Sequence, residues 1–159
     1  MTSHQVFPSA TLPAYPAIKL TPPAGWTQHV VPDAVGAIMA PAAEGRYTAN
    51  VVISVSRRLP GYELQDIAAS VDAHLAGLPE AVLLGTEPVV INGRPWHVRE
   101  ARYTHPDAGS LTQFTAVTVV DNRTASDVVQ LTGSFRPEED EDKKAVYSLV
   151  ASTEVSAAP

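Results

Sequence analysis

Apolar positions along this chain change their period twice, and those changes mark out its elements. After Pro88, three apolar, β-branched runs follow one another: Val89-Val90-Ile91, residues 115–120 and residues 128–131. Asn92-Gly93 separates the first run from Arg94-Pro95-Trp96-His97-Val98. That dipeptide best tolerates the two positive φ angles of a tight hairpin turn. Residues 105–110 read as a loop and residues 121–124 as a second reversal, rich in the side chains that favour turns. About four strands joined by short turns must be antiparallel neighbours.

The first half of the chain supplies the complement. Val51, Ile53 and Val55 alternate with Asn50, Ser54 and Ser56, the period of a strand with one buried face. Ile18-Lys19-Leu20 and residues 35–40 read as shorter strands. From Glu63 to Leu78 the period becomes helical: Leu64, Ile67, Ala68, Val71, Leu75 and Leu78 form one stripe. Glu63 and Asp66 sit where the helix dipole favours acids, and Gly77 and Pro79 lie where the helix should stop. A final helix is expected to begin near Pro137, with Val146, Leu149 and Val150 as its apolar stripe.

An amphipathic helix needs an apolar surface to lie on, and a half-buried antiparallel sheet is what the chain offers. The predicted class is α+β, an antiparallel sheet flanked by helices. Residues 1–16, spaced by Pro8, Pro13 and Pro16, read as an extended N-terminal arm. Residues 17–155 form the single domain, and residues 156–159 a frayed tail.

Composition narrows the function. With 159 residues, 45% apolar and 18% charged, the chain is large enough to bury a core without staples. The formal charge of −6 is local, because removing the acidic run 138–142 leaves 12 acids against 11 bases. Lysine occurs only twice after Lys19, so no basic surface is available for nucleic acid. Cysteine is absent, which excludes disulfides, thiolate metal sites and cysteine nucleophiles. No stretch has the roughly 20 apolar residues of a membrane span, and no leader-like segment opens the chain. As it stands the sequence predicts a cytoplasmic location, or the envelope if an export signal has been removed.

The search for chemistry finds little. His4, His29, His74, His97 and His105 do not stand at metal-ligand spacings, and neither a phosphate-cradling loop nor a nucleophile elbow occurs. His105 and Asp107 share a loop that solvation and turn formation explain. No catalytic residue, cofactor or metal is therefore assigned, and the chain is expected not to be an enzyme. The candidates for binding are Trp26, in the turn after Pro22-Pro23, and Arg94, Trp96, Arg99, Arg102 and Tyr103, which crowd one strand. Arginine and aromatic side chains are enriched where proteins meet partners. The competing reading makes Trp26 a core ring and the arginines the solvated guard of an outward-facing strand.

Several of these pieces, in their order and spacing, resemble a family. They are residues 23–26 (Pro-Ala-Gly-Trp), the strand 49–55 leading to Arg58-Leu59-Pro60-Gly61, the hairpin Val90-Ile91-Asn92-Gly93, and residues 129–133 before the last helix. Together they look like the LpqN/LpqT family of actinobacteria over nearly the whole chain after residue 17. That family is similar in fold to PsbP, to the Ran-binding Mog protein and to DcrB-type proteins, which implies an α/β/α sandwich. Its members are adaptor or binding proteins, so the resemblance implies docking and transfers no catalytic residue. Typical members are exported lipoproteins with a lipobox cysteine, which this chain lacks.

The expectation is therefore a non-enzymatic binding or adaptor module with a protein partner, chaperone-like toward an exported or membrane-associated protein. The alternative is an envelope-associated small-molecule or lipid binder, which predicts an apolar cavity between helix 63–78 and the sheet.

Overall fold

The structure, a computed structural model, describes residues 3–157, without the side chains of Thr86 and Glu87. Its elements run β1 (Ala17–Lys19), β2 (Thr27–His29), β3 (Gly36–Met39), β4 (Asn50–Arg58), α1 (Leu64–Ala76), β5 (Val82–Ile91), β6 (Arg94–His105), β7 (Gly109–Asp121), β8 (Ser126–Phe135), α2 (Asp140–Ala151) and β9 (Glu154–Ser156). Seven strands form one antiparallel sheet in the order β2-β3-β4-β8-β7-β6-β5, and β1 pairs with β9 in a separate ribbon. The α+β class and the antiparallel meander from β5 to β8 are as the sequence implies.

Both turns of that meander are set locally. Asn92 and Gly93 take φ of 48° and 79°, closing the β5–β6 hairpin with Ile91 opposite Arg94. The Asn92 side chain also donates to the Thr153 carbonyl at 2.8 Å, tying the hairpin to the chain beyond α2. Between β7 and β8, the Asn122 Oδ1 accepts the backbone N–H groups of Thr124 and Ala125 at 2.9 and 2.8 Å. This is the side-chain mimicry of a turn that makes asparagine common there.

The two faces of the sheet carry different helices. On one, Val146, Leu149 and Val150 of α2 join Ile38, Val51, Trp96, Phe114, Ala116, Val129, Leu131 and Phe135 in a single core. On the other, Ile67, Val71 and Leu75 of α1 pack with Ala101, Val117 and Val128. Strands β7 and β8 are therefore buried from both sides, and their sequences read as continuous apolar runs rather than alternations. Strand β4, uncovered on the α1 side beyond that helix, keeps its alternation.

Four details depart from the expectation. Strand β5 begins at Val82 instead of Pro88 and shifts register between Leu84 and Thr86, where Gly85 has φ of 56°. Helix α2 begins at Asp140, after a turn in which Glu139 N–H donates to the Arg136 carbonyl, so Pro137 precedes the helix. Strand β2 is polar and three residues long, and only its pairing with β3 makes it a strand. The expected tail starts inside β9, where Ser156 pairs with Ala17, while residues 158 and 159 lie outside the described residues. Within the expected arm, Met1 and Thr2 lie outside them as well.

Helix α2 approaches the sheet closely because β8 offers it no side chain at Gly133. A Cβ there would stand 2.6 Å from Val146 Cγ1, an atom of a fully buried side chain with nowhere to move. We predict that Gly133→Ala destabilises the fold by about 1–3 kcal/mol. Combining it with Val146→Ala should cost less than the sum of the two single changes, because the clash is then relieved. Urea denaturation of the two single variants and the double variant measures both quantities, and strict additivity would contradict the close packing.

Candidate binding site

A hollow lies beside the β2–β3 hairpin. The hairpin forms the edge of the sheet, and among the described residues β2 carries no strand on its outer side. The terminal ribbon stands over the α2-side face next to it, with Ile18, Leu20 and Val155 resting against the core. Between them runs a cleft of about 680 Å³ whose walls include Ile18 and Leu20 on one side and Val30 and Val35 on the other, with Ile38 and Ile53 as floor. Lys19, Gln28 and His29 supply its polar rim. The Thr27 hydroxyl and His29 Nε2 lie 2.9 Å apart and tie that rim along β2.

The mouth is the unusual part. Val30 is 97% exposed and Val35 61%, on a loop that reverses through Asp33 at φ 64°. Two bare β-branched side chains beside an apolar hollow make a contiguous oily surface, which scattered exposed residues do not.

The residues singled out from the sequence do not converge. Trp26 packs against the α2-side core next to the hairpin but does not line the cleft. Trp96 is 1% exposed and belongs to the core, so it offers nothing to a partner. Strand alternation sends Arg102 toward the α2 side with Trp96, while Arg99 and Tyr103 face the α1 side. Arg94 donates to the Val119 carbonyl at 3.3 Å, roughly 26 Å along the strand from Arg102. Strand β6 itself lies between β5 and β7 and is not an outward-facing guard. The crowding in sequence is split by the pleat.

Titratable groups are largely engaged in holding the fold. His97 Nε2 lies 3.0 Å from Asp72 Oδ1 of α1, and Arg99 Nε lies 3.6 Å from the same oxygen. Arg99 also donates to the Gly85 carbonyl at the bulge. Arg57 grips the buried Asp127 with two bonds of 2.7 and 2.9 Å, and those bonds push the guanidinium above its ordinary range. Tyr15 of the N-terminal arm covers the pair, its ring centroid 4.9 Å from the guanidinium carbon. His105 Nδ1 accepts the backbone N–H groups of Asp107 and Ala108, which is turn formation and leaves that nitrogen no free role. Where an apolar cavity is expected between helix 63–78 and the sheet, the lining of the gap is mixed. The gap beside α1 is smaller, about 320 Å³, and includes Arg58, Ser70, His74, Thr115 and Gln130 in its lining.

No family model matches the sequence, and no curated protein matches it. Among solved structures, a protein described as LpqN involved in cell envelope biogenesis of Mycobacterium tuberculosis superposes with a TM-score of 0.77 at 19% identity, over 91% of this chain and 86% of that one. The fold is that of LpqN. Cyanobacterial PsbP from Synechocystis follows at a TM-score of 0.55 and 15% identity, over 96% of this chain and 98% of that one. A Pseudomonas aeruginosa protein of unknown function, described as a putative regulator, gives 0.50 at 15% identity over 80% and 94% of the two chains. At these identities the likeness is one of architecture, and it matches the LpqN/PsbP-type sandwich that the sequence resembles.

Among the described residues, Glu100 is a carboxyl clearly affected by its surroundings. Partial burial on the α2 side of β6 raises its pKa above the ordinary carboxyl range, and Lys143 and Arg102 offset only part of that. A raised carboxyl pKa means the folded state binds the proton more tightly, so its penalty is present at neutral pH and vanishes as pH falls through the ordinary carboxyl range. Glu100→Gln should therefore raise the melting temperature at pH 7. The gain should disappear below about pH 4, where the wild-type carboxyl is neutral in both states. A melting series from pH 3 to 8 checks this, and a gain that does not change with pH would contradict it.

Proposed function

We propose that the protein is a non-enzymatic binding module that holds an extended apolar segment of a partner protein in the cleft beside the β2–β3 hairpin. The observation carrying this reading is the contiguous apolar surface running from Val30 and Val35 into a hollow floored by Ile38 and Ile53. The open outer side of β2 adds backbone groups for such a segment to pair with, while the cleft takes its alternate side chains. The engagement of His97, His105 and Arg57 in internal bonds supports a docking role over a catalytic one. LpqN is described as involved in cell envelope biogenesis. By extension, the partner here is an envelope protein or one on its way to the envelope, and the module shields its apolar segment from water.

A second reading keeps the same cleft and changes the occupant. A hollow of about 680 Å³ is the size at which proteins hold small molecules, and an apolar ligand would bury the same side chains.

Because Val30 and Val35 are exposed, replacing both by Glu should leave stability nearly unchanged while removing the apolar mouth. Burying a valine side chain is worth about 1.5–3 kcal/mol, so the double variant should weaken binding by at least roughly tenfold. A photo-crosslinking residue at Gln28, compared with and without the two Glu substitutions, reads this directly. A protein adduct that the substitutions abolish supports the first reading. A small apolar mass retained in native mass spectrometry, with no protein adduct, favours the second. Adducts indifferent to the substitutions would remove the cleft from either account.

A further inference from the structure

The cleft beside the β2–β3 hairpin has one wall that is not part of the main sheet. Ile18 and Leu20 stand there on or just after β1, and among the described residues β1 pairs only with β9. Each of those strands is three residues long, and a two-stranded ribbon of that length has little stability of its own. The Lys19–Glu154 ion pair adds little, because both side chains are exposed. Ile18, Leu20 and Val155 rest on the core, which holds the ribbon down. Apolar burial is non-directional, so it fixes the ribbon's place across the sheet only loosely.

Two directional contacts supply the rest. The Ser152 hydroxyl accepts the Thr21 N–H at 2.9 Å and donates to the Leu149 carbonyl at 2.7 Å. It thereby joins the chain just after β1 to the last turn of α2. The Asn92 amide donates to the Thr153 carbonyl at 2.8 Å, one residue before β9 begins. Thr153 is 1% exposed, so little water is at hand to take the place of that amide. Asn92 itself sits in the tight β5–β6 turn, whose positive φ angles fix where its side chain starts. That hairpin is on the far side of the sheet: four strand spacings, roughly 19 Å, separate β6 from β3. The ribbon therefore acts as a strut, tied at the far edge and at α2, with its free flank forming the cleft wall.

We infer that Asn92 and Ser152 are positioning residues for the β2–β3 cleft, setting how far Ile18 and Leu20 stand from Val30 and Val35. Their importance for binding rests on the cleft being the docking surface, while the geometry itself can be measured with the cleft empty.

Because the chain has no cysteine, two spin labels can be placed on the full chain through Lys19→Cys and Val35→Cys without background. Their distance distribution reports the width of the cleft, and hydrogen exchange reports the ribbon. Asn92→Asp keeps the turn, which Asp-Gly also suits, but sets an acceptor against a carbonyl. Ser152→Ala removes the other clamp. Each should broaden or lengthen the distance distribution and lower the protection of β1 and β9 amides by roughly fivefold or more. Val71→Ala, which loosens α1 on the opposite face, should lower global stability and leave both readouts as in wild type. Distances and protection unchanged in both clamp variants would overturn the inference, as would an equal change in Val71→Ala. Neither readout needs an occupant, so failure here is distinct from failure of the Gln28 crosslink, which bears on what the cleft holds.

Discussion

The structure depends on two central strands being covered from both sides. Strands β7 and β8 present Phe114, Ala116, Val129 and Leu131 to α2, and Val117 and Val128 to α1. Each helix is too short to be stable alone in water, so each exists because its stripe has somewhere to go. The sheet in turn would expose an oily face wherever a helix was missing. Gly133 marks how tightly this is drawn, since the approach of Val146 leaves no room for a methyl group.

That same arrangement accounts for the positions of the two hollows. Two helices cannot cover seven strands on both faces. On the α2 side, the ribbon of β1 and β9 extends the cover but stops short of the hairpin at the sheet edge, which leaves an apolar cleft. On the α1 side, the helix lies over β6 and β7, and the strands beyond it carry polar residues such as Ser54, Gln130 and Thr132. The first hollow is therefore mostly apolar and the second mixed in its lining. An LpqN-type fold does not by itself fix a function, which depends on the surfaces the frame carries.

How legible each part was follows from how local its cause is. The alternation in β4 and the stripe of α1 could be read because each element has one buried face, and a single face imposes a period. Asn92-Gly93 could be read because the turn needs positive φ whatever surrounds it. Helix α2 was placed three residues early because Pro137 suits a helix start, while the bond from Glu139 to Arg136 makes a separate turn first. The cluster of Arg94, Trp96, Arg99, Arg102 and Tyr103 is divided for a simple reason: neighbours along a strand point to opposite faces, and Trp96 fell on the buried one.

By itself, the sequence determined the α+β class, the antiparallel meander, the first helix and the absence of cysteine chemistry, because these follow from periods, turns and composition within short stretches. Only the tertiary structure decided that residues 17–19 pair with residues 154–156, that β2 is a strand at all, and that residues 18–20, 28–30, 35–38 and 53 meet around one cleft. Three-residue strands have no intrinsic stability and take their form from a partner. A hollow is defined by what fails to meet across it, and no local pattern along the chain records that.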